Sequence, residues 1–125
     1  MIVATGIDII EISRIDDSIA RFGKNFLDRI YTAAEQEEYS KRNDSRSFYA
    51  GRWAAKEAIS KALGCGIGKN CSWLDIEILN NADGAPYAVL SNAAASKLAS
   101  LNAVNLHISI SHERSNAIAM AVIEK

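Results

Sequence analysis

From Phe48 to Gly64 the chain runs Phe-Tyr-Ala-Gly-Arg-Trp-Ala-Ala-Lys-Glu-Ala-Ile-Ser-Lys-Ala-Leu-Gly, a stretch that reads as one helix. The rest of the chain must pack around it. Ala54, Ala55, Ala58 and Ala62 are strong helix formers, and Gly64 is placed to end the helix. Phe48, Ile59, Ala62 and Leu63 recur at helical spacing and are expected to face a core. The unusual residue is Glu57, the only acid between Asp44 and Asp75. It sits among Arg46, Arg52, Lys56, Lys61 and Lys69. Glu57 and Lys61 are four apart and share a helix face. On spacing alone they read as an ordinary surface salt bridge. The alternative is a metal-binding carboxylate beside cations that hold phosphate.

The charge is unevenly divided. From Lys41 to Lys69 there are seven basic residues and two acids, Asp44 and Glu57, in a chain whose formal net charge is −1. That segment carries +5, so the remainder carries −6. A basic segment in an otherwise acidic chain points to a localised anion site. It argues against a protein coated with nucleic acid, for which a basic domain is expected. The length of 125 residues, about half of them apolar, suggests one domain, residues 1–125, with a real core. The start, Met-Ile-Val-Ala-Thr-Gly-Ile-Asp, follows no signal-peptide plan, and no apolar run is long enough to cross a bilayer. The protein is expected to be soluble and cytoplasmic, with Cys65 and Cys71 as free thiols.

Taken in order, the spacing predicts a strand over Ile2–Ile12. Val3, Thr5, Ile7 and Ile9 lie on one face, and Ile2, Ala4, Gly6, Asp8 and Ile10 on the other, so both faces are expected to be buried. Asp8 there needs either loop amides at the strand end or a metal. Gly6 leaves space for a close approach. Ser13-Arg-Ile-Asp16 has capping-box spacing for a helix with Ile15, Ile19 and Phe22 inward, stopping at Gly23. Arg14 and Arg21 share its outer face, with Lys24 just beyond. They form either a solvated face or a docking patch for an acidic partner. Phe26 to Tyr31 reads as a short helical turn or two. Thr32-Ala-Ala-Glu35 opens a short acidic helix through Tyr39.

After the long helix, Gly64-Cys-Gly-Ile-Gly68 is a glycine-rich loop without the flanking elements of a nucleotide-binding motif. Trp73–Leu79 and Tyr87–Leu90 are expected to form a hairpin around Asn80–Gly84. Ser91 is expected to cap a helix to about Leu101 that buries Ala94, Leu98 and Leu101. Leu106–His112 alternates strictly, with His107, Ser109 and Ser111 on one face. Ala117–Ile123 alternates Ala117, Ala119 and Ala121 with larger residues, and makes a second hairpin with it. If the alanine face lies beside the His-Ser-Ser face, that side has room for a ligand. The element order is α+β.

Asp8 and Glu57 together suit one hard cation such as Mg²⁺. Arg52, Lys56, Lys61 and the loop amides suit phosphates, and His107 suits a phosphate or a ribose. These parts fit phosphoryl transfer. A hydrolase built on Ser109 or Ser111 with His107 or His112 is disfavoured, because neither serine sits in Gly-x-Ser-x-Gly and adjacent strand residues point apart. A third reading is a binding module for an acidic protein, using Arg14, Arg21 and Lys24.

The motifs accumulate into a resemblance. Gly6-Ile-Asp8-Ile-Ile-Glu11-Ile-Ser-Arg14-Ile15 resembles the opening of the bacterial holo-[acyl-carrier-protein] synthases, the small 4′-phosphopantetheinyl transferases. Phe48–Gly64 resembles their central helix, with Trp53-Ala-Ala-Lys-Glu57-Ala its most specific part. Asp83-Gly-Ala-Pro86-Tyr is similar to their hairpin turn, and His107-Ile-Ser-Ile-Ser-His112 to their late strand.

The resemblance implies an antiparallel sheet packed with a long central helix, and a homotrimer with sites between subunits. It implies transfer of 4′-phosphopantetheine from coenzyme A to a serine of apo acyl carrier protein, for fatty acid biosynthesis. Asp8 and Glu57 would hold Mg²⁺, Glu57 would help remove the serine proton directly or through a metal-bound water, and Lys61 would stabilise or protonate the diphosphate oxygen on the leaving side. Arg52, Lys61, Gly64, Gly66, Pro86, His107 and Ser109 would bind coenzyme A, with His107 serving a neighbour's site. Arg14, Arg21 and Lys24 would dock the carrier. No nucleic acid or membrane partner is implied. The sequence departs from the family pattern at Ala85, where lysine is common, and at Cys65, where a hydroxyl residue often stands.

Overall fold

The computed structural model describes residues 1–42 and 46–125; Asp44, counted above in the basic segment, lies outside the described residues. The order is β1 (Ile2–Glu11), α1 (Ile12–Phe22), α2 (Lys24–Ile30), α3 (Ala33–Ser40), α4 (Phe48–Ala62), β2 (Ile76–Asn80), β3 (Pro86–Leu90), α5 (Asn92–Ser100), β4 (Asn105–His112) and β5 (Asn116–Glu124). This is the expected α+β arrangement. The sheet β1-β5-β4 is antiparallel, and β2-β3 forms a separate two-stranded hairpin.

Helix α4 is the centre, as its composition dictates. Ala50, Ala54, Ala55, Ala58 and Ile59 have no exposed surface. One side lies on the sheet, the other under α2, α3 and the hairpin. Close packing on the sheet depends on small residues. A Cβ on Gly6 would stand 2.0 Å from the Ala58 carbonyl oxygen. Ala117, Ala119 and Ala121 line the same floor and are buried. Glycine at position 6 therefore lets β1 touch the helix backbone, which brings Asp8 to α4.

Several expectations change. β1 is not buried on both faces: Ile7 and Ile9 are 59% and 62% exposed, because only one face of the sheet meets α4. The alanine face of β5 does not adjoin the His-Ser-Ser face. The register pairs Ile108 with Ala121 and Ile110 with Ala119, so the alanines make room for a helix, not a ligand. Ser13 does not cap α1. The helix starts at Ile12, whose N–H is satisfied by the Ser115 carbonyl at 2.8 Å. Phe22 is exposed and lies beneath the Arg21 guanidinium at 5.3 Å. Trp73–Asp75 is a 3₁₀ turn rather than strand, closed by Ser72 and Asp75. Ser91 precedes α5 without a side-chain cap. The Thr32–Glu35 capping box forms with both bonds, at 2.8 and 3.2 Å. Both cysteines are free thiols, as expected. Among the described residues no helix is long and apolar enough to cross a membrane.

Candidate active site

The carboxylates meet where β1 crosses α4. Asp8 points from the helix-facing side of the strand, and Glu57 and Lys61 stand one turn apart on α4. Lys61 Nζ lies 2.9 Å from Asp8 Oδ1 and donates to the Ile7 carbonyl at 3.0 Å. The cation on the shared face of α4 thus pairs across to the strand; a Glu57–Lys61 salt bridge does not form. Glu57 is half-buried. Burial, and then the nearby Asp8 charge, raise its pKa above the ordinary carboxylate value, with Lys61 opposing. Asp8 Oδ2 is buried and has no hydrogen-bond partner among the described residues.

That orphaned oxygen is the test of a metal here. A buried carboxylate oxygen without a donor is costly unless something electropositive meets it. The donor set is two carboxylates, and among the described residues no group of three or more His, Cys, Asp or Glu gathers. Two hard oxygen donors fit Mg²⁺, which takes its remaining ligands from water and phosphate. They do not fit a closed tetrahedral zinc site.

Arg52 stands nine residues before Lys61, about 13 Å along the helix. It lines a cavity of about 350 Å³ with Arg42, Phe48, Asn80, Gly84 and Pro86. Arg52 is 5% exposed, and its guanidinium lies 4.3 Å from the Phe48 ring centroid and donates to Asn80 Oδ1. Arg42 approaches the same amide oxygen at 3.4 Å. Burial, and then the Arg42 charge, lower the Arg52 pKa to about 10, so it stays charged at neutral pH. Arg52 Nε has no partner among the described residues. Two guanidiniums converging on one neutral amide make an anion-seeking cavity.

Lys56 is not part of it. Its ammonium is fully buried and held by Glu35 at 2.7 Å, so it cannot reach a phosphate. The helix is buried nearly all round, and the sequence did not reveal which cation faces inward. Gly64 and Gly66 adopt positive φ in the loop that ends α4, at the Lys61 end. Pro86 lines the Arg52 cavity. His107 and Ser109 stand on the outer face of β4, away from α4. His107 Nε2 lies 2.7 Å from Glu124 Oε1 there. They do not share the Arg52 cavity within one chain. Arg14 and Arg21 are exposed on α1, while Lys24 pairs with Asp28 at 3.1 Å and donates to Gln36. Sequence reasoning missed Arg42 and Asn80 as cavity residues and Glu35 as the partner of Lys56; it weighed His112 only for a hydrolase, whereas His112 lines the Arg52 cavity. A hint for Asn80 was its place where a predicted strand meets a turn.

Residues 4–121 match the 4′-phosphopantetheinyl transferase superfamily. The fold is that of the class, and the chain belongs to it. The holo-[acyl-carrier-protein] synthase of Alkaliphilus oremlandii is 47% identical over 122 residues, spanning 98% of each chain. The Helicobacter pylori holo-[acyl-carrier-protein] synthase, solved in complex with coenzyme A, is 40% identical with a TM-score of 0.85, covering 96% of this chain and 99% of that one. That of Neisseria meningitidis is 34% identical with a TM-score of 0.91, covering all of both chains. Within the superfamily this chain is a member of the holo-[acyl-carrier-protein] synthase family.

Proposed function

We propose that this chain transfers 4′-phosphopantetheine from coenzyme A to a serine of apo acyl carrier protein. The observation that carries the reading is one helix with two functional ends. Arg52 presents a buried, incompletely paired guanidinium at one end; Asp8, Glu57 and Lys61 converge at the other. A substrate with a phosphorylated nucleoside and a distant reactive diphosphate fits that span. Release of adenosine 3′,5′-bisphosphate, followed chromatographically in step with loss of coenzyme A, tests it. Absence of that product with an active control enzyme present would reject it.

In the proposed reaction the carrier's serine oxygen forms a bond to the β-phosphorus of coenzyme A. The bond from that phosphorus to the bridging oxygen breaks, and adenosine 3′,5′-bisphosphate leaves. Glu57, one helix turn from Lys61, takes the serine proton directly or through a water. Lys61 supplies positive charge to the diphosphate oxygens, and Asp8 holds Lys61 in place. Mg²⁺, when bound by Asp8 and Glu57, would neutralise diphosphate charge. Arg52, with Arg42, Gly84 and Pro86, would hold the nucleotide phosphates, and Gly64 and Gly66 would let the loop approach the pantetheine side. Arg14, Arg21 and Lys24 would dock the acidic carrier.

Assembly as a homotrimer is part of this proposal. Ile7, Ile9 and Met120 leave one sheet face apolar and exposed, and His107 and Ser109 stand on that same face. A second copy seated there would cover the apolar residues and bring His107 to the neighbouring coenzyme A.

A further inference from the structure

We propose that the buried Glu35–Lys56 pair is a positioning pair that seats the β2–β3 hairpin against α4 and so sets the width of the Arg52 cavity. The inference rests on the proposed binding of coenzyme A in that cavity.

Neither side chain has exposed surface. Lys56 Nζ donates to Glu35 Oε1 at 2.7 Å, to the Ile30 carbonyl at 2.6 Å and to the Trp73 carbonyl at 3.1 Å, which places all three ammonium protons. Glu35 Oε1 also accepts from the Thr32 N–H at 2.8 Å, and Oε2 accepts from the Ile78 N–H at 2.9 Å. The pair therefore joins the end of α2, the start of α3, the 3₁₀ turn and β2 to one position on α4.

Burying two charges is a poor route to stability, since desolvation offsets much of their attraction. Its distinctive effect is directional. Ile76 and Ile78 bury apolar surface against the core, which holds the hairpin down without fixing it along the strand. The Glu35 bond to Ile78 fixes it. β2 pairs only with β3 among the described strands, so its other edge is open to this bond. Two residues beyond Ile78, Asn80 accepts from Arg52, and the turn that follows and the start of β3 supply Gly84 and Pro86 to the cavity wall. The carboxylate site is held separately, by the contact of Gly6 with the Ala58 backbone.

The two halves of the site should therefore respond differently. The charge-free variant Glu35→Leu/Lys56→Met keeps the volume close to the original and removes the acceptor for the Ile78 N–H. In the full chain its KM and Kd for coenzyme A are expected to rise about tenfold. Its kcat at saturating coenzyme A and its KM for the carrier should stay within about twofold of the unsubstituted protein. A folded variant with a lowered melting temperature but unchanged KM and Kd for coenzyme A would overturn the proposal, since that is the signature of a merely structural pair. If the double variant does not fold, Glu35→Asp withdraws the carboxylate by one methylene and should give the same split; an unchanged KM there would overturn it equally. Failure of the unsubstituted protein to bind coenzyme A would overturn the functional reading and this inference with it. That outcome is distinguished by appearing before any substitution.

Discussion

Lys61 reaches from α4 to β1 and pairs with Asp8 at 2.9 Å, leaving Glu57, on its own helix face, half-buried without that cation as a salt-bridge partner. The lysine is thereby fixed near the strand, and in the proposed reaction the glutamate would be left available for proton transfer.

Asp8→Asn retains the shape and removes the charge that holds Lys61. It is expected to lower kcat by about 10²-fold or more while leaving the far-ultraviolet spectrum unchanged. Steady-state kinetics beside a thermal melt check this, and near-normal kcat would show that the aspartate has no part in the chemistry.

Arg52→Lys keeps a cation but loses the planar group that lies against Phe48 and bonds Asn80. The KM for coenzyme A should rise about tenfold, the equivalent of ~1.4 kcal/mol, with kcat little affected. Isothermal titration with coenzyme A reads the same loss directly.

Much of this was legible in the chain. The α4 helix, both hairpins and the Thr32 capping box follow from local chemistry. Gly6 announced a close approach, and the approach proved to be α4 itself. Other features depend on parity or packing. Pairing of His112 with Ala117 puts the alanines under the helix and His107 outside; a turn shifted by one residue would have reversed the faces. Lys56 and Lys61 look alike in sequence, but α3 delivers Glu35 to the first and β1 delivers Asp8 to the second. No spacing rule distinguishes an inward lysine from an outward one on a helix buried on most sides.

Gly6→Ala should be among the most damaging small substitutions. The added methyl would stand 2.0 Å from a backbone oxygen that cannot move without shifting α4. A loss on the order of 3 kcal/mol is expected, read as a lower denaturant midpoint, with activity falling alongside because Asp8 moves with the strand. An unchanged midpoint would contradict the close strand–helix contact.

Arg14→Glu and Arg21→Glu reverse exposed charges on α1 and should raise the KM for the carrier without changing that for coenzyme A. Carrier binding to the unsubstituted protein should weaken as salt rises, since exposed charges are screened within about 8–10 Å at physiological ionic strength. Equal losses for both substrates would place the docking surface elsewhere.

The most direct test is the intact mass of an apo acyl carrier protein after incubation with this protein, coenzyme A and Mg²⁺, run beside a chelator control. The account predicts a gain of one phosphopantetheine per carrier, abolished by the chelator and by Glu57→Gln. A carrier whose mass stays unchanged, or one modified equally by the Glu57→Gln protein, would contradict it.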